Sequence, residues 1–158
     1  MLRVWHTREL EDRGGQLYHK GEPFTGLLCW IRPRDEHPAG EHEHRGGVPW
    51  GVGHAWHPGG VLAYQGRFVW GLWHGPYRAW HPDGRRAAEV EYDLGCPIRE
   101  RRWDEDGRLV ADEHADESSG AFQQTLRLRA KFVEIFGRPP EEEVPLTEVA
   151  GLANRQPE

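Results

Sequence analysis

A tryptophan-led turn recurs along this chain: WHPGG at 56–60, WHPDG at 80–84 and WDEDG at 103–107, at spacings of 24 and 23 residues. Self-similarity at a short fixed period means that one supersecondary unit is repeated and stacked, so the fold has to be read unit by unit. Each tryptophan closes a frame that opens with a ring residue and places a glycine three positions later. The frame holds Tyr18, Gly21 and Trp30, then His44, Gly47 and Trp56, then Phe68, Gly71 and Trp80, and last Tyr92, Gly95 and Trp103. Its ring positions are separated by 26, 24 and 24 residues. The first unit's two extra residues fall between Trp30 and His44, where RPRDEHP at 32–38 reads as a bulged loop. The fourth unit is one residue short between its glycine and its tryptophan.

A unit of this length with glycine-rich turns reads as a two-stranded hairpin. Alternation agrees: Leu62, Tyr64 and Phe68 share one face, and Arg86, Ala88 and Tyr92 are their equivalents in the next unit, with Val90 between them. The PGG and PDG tripeptides supply the positive-φ residue that a tight reversal needs. With 8 Trp, 20 Gly and 12 Pro, the chain turns often and fills space with rings rather than aliphatic layers. The expectation is a mainly β protein: a single-layer antiparallel β-meander of about four hairpin repeats, in which each ring packs against the next unit's ring.

The frame, with YHKGEPFTG at 18–26, resembles the MORN repeat and is similar to the opening unit of bacterial MORN-type proteins of the YwqK antitoxin family. The likeness covers about residues 9–110. It implies a MORN-like sheet and a non-catalytic antitoxin or immunity protein that binds and neutralises a cognate protein toxin, a nucleic-acid-targeting toxin being one such partner. A MORN-repeat scaffold or lipid-associated interaction module is the alternative. Longer first loop, His44 in place of an aromatic ring, and the short fourth unit are departures from the family's pattern.

Charge is uneven. Residues 1–103 hold 14 basic and 13 acidic groups, and residues 104–158 hold 6 and 13. A neutral-to-acidic chain lacks the clustered Lys and Arg that bind nucleic acid directly or coat an anionic membrane. No apolar run approaches the length of a membrane span, and MLRVWHTREL lacks the apolar core of a signal peptide, so a cytoplasmic location is expected. Cys29 and Cys96 fit no disulfide framework or metal spacing and read as free thiols.

Beyond the repeat, the expected organisation is an N-terminal cap strand over 1–17, the repeat sheet over 18–110, an acidic linker over 111–118, an amphipathic helix over 119–137 and an acidic tail over 138–158. Ser118 or Ser119 caps the helix, Gly137 with Pro139 and Pro140 ends it, and Phe122, Leu126, Arg129, Val133 and Phe136 form a stripe widened by Leu128, Phe132 and Ile135. The stripe is expected to dock on the sheet's open edge or on one face. Presentation to another protein is the other use of such a stripe.

EHEH at 41–44 puts His42 and His44 on one strand face, with His37 or His54 able to complete a set, but zinc needs three or four ligands in fixed geometry, and no metal or other cofactor is expected. His57 and His81 recur with the repeat, which favours a structural role. There is no GxSxG, no HExxH and no phosphate-cradling glycine loop before a helix, and Asp83, Asp104 and Asp106 sit in turns, so no catalytic residue is assigned. Residues that the frame does not explain are Trp50, His54, Trp70, Trp73, Tyr77, Arg78 and Arg101. They are of the types enriched at binding hot spots, and either thicken the layer or form a partner-binding surface.

Overall fold

The computed structural model describes residues 1–5, 9–33 and 37–140; residues 141–158, most of the acidic tail, lie outside the described residues. Its strands are β1 (Arg3–Trp5), β2 (Leu10–Asp12), β3 (Leu17–His19), β4 (Glu22–Pro23), β5 (Gly26–Ile31), β6 (Pro38–Arg45) and β7 (Val48–Trp56). They continue as β8 (Leu62–Val69), β9 (Leu72–Trp73), β10 (Gly75–Trp80), β11 (Arg86–Asp93), β12 (Cys96–Trp103) and β13 (Leu109–His114), followed by the helix α1 (Gly120–Phe136). Ten strands make one open sheet in the order β1-β5-β6-β7-β8-β10-β11-β12-β13, with β9 beside β8, and β2, β3 and β4 form a small sheet of their own. Every pair in the large sheet is antiparallel except β1, which lies parallel to β5.

The frame glycines explain the meander. Each unit turns through two successive positive-φ residues: Lys20 and Gly21 (52° and 88°), Gly46 and Gly47 (55° and 87°), Trp70 and Gly71 (54° and 77°), Leu94 and Gly95 (45° and 85°). Paired positive φ makes the type I′ hairpin turn, whose twist matches that of the strands it joins. Gly47, Gly71 and Gly95 then donate their N–H groups to the carbonyls of Phe24, Pro49 and Trp73, each at 2.8 Å, so these three turns are each tied to the unit before. At the opposite end, His57, His81 and Asp104 close three-residue loops onto the carbonyls of Val61, Arg85 and Arg108.

A second link runs between units at that end. Arg32 Nη2 donates to the Trp56 carbonyl at 2.6 Å, His57 Nε2 to that of Trp80 at 2.7 Å, and His81 Nε2 to that of Trp103 at 2.9 Å. The recurring histidines are therefore structural through backbone hydrogen bonds.

Bulges account for the irregular spacings. Between paired positions of its two strands, unit two carries two extra residues on the second strand, unit three also two, and unit four only Ile98. The residue missing from the fourth copy is thus lost from a bulge, where the ladder is already interrupted. In the first unit the register shift falls after Trp30, whereas in the others it falls before the frame tryptophan.

Two expected segments take different forms. Residues 1–17 are divided between β1, on the outer edge of β5, and the small sheet. Residues 111–114 belong to β13 rather than to a linker, with Asp112 opposite Arg101 and 3.8 Å from Arg99. An edge strand with both faces toward solvent needs no apolar alternation, which is why its composition resembles a linker.

Helix α1 is capped by Ser119, whose Oγ accepts from the Phe122 N–H, and ends at Gly137 with φ 68°. It docks across the turn tips. Trp50, Val69 and Leu94 form a buried core there, with Trp70, Phe132 and Phe136 packed on it. Trp70 stacks on Phe136 at 5.3 Å and meets Phe132 edge-on at 5.8 Å. Arg129 Nε donates to Asp93 Oδ2 at 2.7 Å, and the Thr125 hydroxyl lies 3.5 Å from the Asp93 carbonyl. These polar contacts set the helix's rotation, so the docked stripe runs through Phe122, Thr125, Arg129, Phe132 and Phe136, while Leu126 and Val133 stay 46% and 45% exposed. Among the described residues no helix is long and apolar enough to cross a membrane.

Trp70 is the test of this docking. Trp70→Ala keeps the Cβ that strains this left-handed turn and removes the ring that three others contact, and is expected to cost about 2–4 kcal/mol. Hydrogen exchange should show the α1 amides losing protection first, while those of β6–β8 keep theirs.

Candidate functional site

The two faces of the large sheet carry different chemistry. On one, aromatic rings form a continuous ladder across the strands. Trp30 meets His42 edge-on at 4.9 Å, His42 lies 4.8 Å from Phe68, and Phe68 stacks on Trp73 at 3.8 Å. From Trp73 the ladder continues to Tyr77 at 5.0 Å and Tyr92 at 6.5 Å, and Tyr64 stacks on Tyr77 at 5.9 Å. The frame rings are joined through Trp73 and His42, which the frame does not contain.

The rings lie on glycine. A Cβ added at Gly53 would come within 2.7 Å of His42 and 2.8 Å of Phe68; one at Gly66 would come within 2.6 Å of Trp73 and 2.9 Å of Tyr77. At Gly40 it would enter the Trp30 ring. These three glycines have no positive φ, so what they supply is the absence of a side chain, which lets the indole and phenyl rings cover bare backbone. Trp30, Tyr64, Trp73, Tyr77 and Tyr92 remain half-buried, a contiguous apolar surface with polar tips.

Burial shapes the ionisation of this face. His42 is pushed down to about 4, first by desolvation and then by His44 and His54, while its Nε2 and the Tyr64 hydroxyl share a hydrogen bond of 2.9 Å. His44 is also lowered by burial, and the phenols of Tyr64, Tyr77 and Tyr92 are all raised by it.

The opposite face is a row of polar side chains in direct cross-strand register: Cys29, Glu41, His54, Gln65, Arg78, Glu89, Arg101 and Asp112. Glu41 faces His54 at 3.6 Å and Arg3 at 4.0 Å. Glu89 takes Arg86 at 2.9 Å and Arg101 at 2.7 Å. Trp56 stacks on His54 at 5.9 Å, and Trp103 lies under the guanidinium groups of Arg86 and Arg101 at 5.4 and 5.7 Å. Trp56 and Trp103 therefore sit on the polar face, opposite to Trp30, because of the different bulge positions.

The candidate partner-binding residues are separated into three places. Trp50 and Trp70 belong to the core under α1. Trp73 and Tyr77 are in the ring ladder, and His54, Arg78 and Arg101 are in the polar row. Sequence reasoning passed over Trp30, His42, Tyr64 and Tyr92 as members of this surface, and Gly40, Gly53 and Gly66 beneath it. Their even 13-residue spacing, at strand positions where no turn needs a glycine, was the available signal.

Cys29, Glu41 and His54 are neighbours, yet the order of contact does not activate a nucleophile. Cys29 is fully buried, its Sγ is 3.9 Å from Glu41, and burial raises its pKa, which holds it as a thiol. His42 and His44 point to the ring face, whereas His54 is on the other, and no group of three metal-binding side chains occurs among the described residues.

Two tests address the ring face. Gly53→Ala or Gly66→Ala forces the ladder apart and should destabilise by about 1–3 kcal/mol, whereas Gly120→Ala, with open space around its Cβ, should leave the melting temperature unchanged or raised. The second is a pH profile. His42 titrates near 6.5 when unfolded and near 4 when folded, so the unfolded chain binds the extra proton between these values. Stability is complete above about pH 6.5 and falls as pH drops toward 4, by roughly 2 kcal/mol after allowance for the ring's partial exposure. Melting curves from pH 7.5 to 4.5 should fall less steeply for His42→Phe than for the unaltered chain.

Comparison of the chain with family models, with curated proteins and with solved structures returns no match.

Proposed function

We propose that this chain is a non-catalytic binding protein, an antitoxin or immunity protein that neutralises a cognate toxin by seating it on the ring ladder. The observation that carries the reading is the half-buried row of Trp30, Tyr64, Trp73, Tyr77 and Tyr92 on a sheet with no second strand layer over it among the described residues. Rigid aromatic side chains with polar tips lose little conformational entropy on binding and dominate interface hot spots. The likeness of the repeat frame to the YwqK-type antitoxins supplies the kind of partner.

Inhibition in this reading is stoichiometric and steric: the bound sheet covers the toxin's active site, in the cytoplasm, and needs no metal or cofactor. The acidic C-terminal part would oppose a basic, nucleic-acid-binding cleft on the toxin. A chain shortened to residue 110 cannot test this, since it lacks most of β13 and all of α1; a chain ending at Pro140 can.

The deciding experiment is tagged co-purification from the native host, followed by a growth-rescue assay with the recovered partner. The expected outcome is one stoichiometric toxin-like protein whose toxicity the chain suppresses. Tyr77→Ala with Tyr92→Ala should abolish suppression while melting remains cooperative. A broad set of partners, or rescue that survives loss of both tyrosines, would reject the ring-face antitoxin and favour a repeat scaffold.

A further inference from the structure

On the polar face, away from the ring ladder, we infer a binding site for an acidic peptide in extended conformation, centred on Arg67 and Arg78. Two shallow grooves, of about 390 and 200 Å³, adjoin there and share Pro76 and Arg78. Pro76 forms the hollow because its short ring stands among long Arg and Glu side chains, opposite Glu91 of β11.

The site's charge follows from what its neighbours do. Arg78 stands between Gln65, which is neutral, and Glu89, which is already held by Arg86 and Arg101. Arg67 stands opposite Val52, which is apolar. Neither guanidinium has an ion-pair or side-chain hydrogen-bond partner among the described residues, and both are exposed. Other arginines on the sheet or against it hold carboxylates in this chain of net charge −6, as Arg13 holds Glu11 and Arg129 holds Asp93. Two unneutralised guanidinium groups on adjacent strands beside a groove are therefore a local excess of positive charge.

Carboxylate is the ligand chemistry that fits. A guanidinium fork matches its planar pair of oxygens, and such pairs are among the stronger charge-assisted hydrogen bonds. Arg67 lies one strand over from Arg78 and two residues along from its partner Gln65, about 8 Å away at ordinary strand spacings, and that spans between two and three residues of extended peptide. Glu89 and Glu91 line the groove on the other side of Arg78, so a continuous run of phosphates would meet repulsion there where spaced carboxylates do not. An acidic peptide with carboxylates every third residue is the favoured occupant over nucleic acid.

The test is fluorescence anisotropy with the full chain and three labelled probes: a ten-residue Gly/Ser peptide with Glu at every third position, its Gln counterpart, and a ten-nucleotide oligothymidine. The Glu peptide should bind most tightly and weaken as salt rises, as an exposed charge interaction must. Arg67→Ala with Arg78→Ala should reduce its affinity by about tenfold or more, Arg78→Glu should do the same from a single position, and Arg127→Ala on the exposed side of α1 should leave it unchanged. Equal binding of the Gln peptide, tighter binding of the oligonucleotide, or undiminished affinity in both groove variants would overturn the site. Because these arginines and the tyrosines of the ring ladder lie on opposite faces, failure here leaves the ring-face reading standing, and the reverse holds.

Discussion

Aromatic ring against bare backbone is the contact on which this sheet depends. A sheet one strand thick has no opposing layer to pack against, and aliphatic side chains standing upright would leave most of their area in water. Rings that lie down solve this, since one indole or phenol covers backbone on its own strand and the next. The solution works only where the covered residue has no Cβ, which explains Gly40, Gly53 and Gly66 beneath Trp30, Phe68 and Trp73. It also leaves the outer side of each ring available, so the same contact that stabilises the layer creates a surface suited to binding.

The turn tips show how local strain and tertiary packing are coupled. Trp70 and Leu94 occupy left-handed turn positions that glycine or asparagine would take with less strain. Their side chains, however, form the floor on which α1 rests, and Leu94 is 6% exposed beneath it. Local preference yields to docking at these two positions because a buried side chain contributes more than the turn strain costs. The helix in turn bridges the turn tips of units that otherwise contact only their neighbours.

Much of the fold was legible from residue spacing alone. The frame glycines mark the type I′ turns, the PGG and PDG loops mark the opposite reversals, and Ser119 and Gly137 bound the helix as their residue types require. Less of the site was legible. Trp73 and Tyr77 could be singled out, but their association with Trp30, His42 and Tyr64 depends on cross-strand register, which hydrogen-bond pairing settles and local alternation does not. Arg67 carried no signal at all, because its distinction is the lack of a carboxylate opposite it on the neighbouring strands, which only the register reveals.

Periodicity is a local property, and the repeated hairpin, the turn types and the helix with its caps follow from residues a few positions apart. Which face each ring occupies is not local. One residue's difference in bulge position sends Trp30 to the ring ladder and Trp56 to the polar row, although both hold the same place in the repeat. The helix illustrates the same division. Its amphipathic pattern allows several rotations, and the choice that leaves Leu126 and Val133 exposed comes from Asp93, more than thirty residues earlier, holding Arg129 and Thr125. A one-residue shift in a strand reverses its faces, and one half-buried ion pair fixes a rotation that apolar pattern leaves open; both are decided only when distant segments come together.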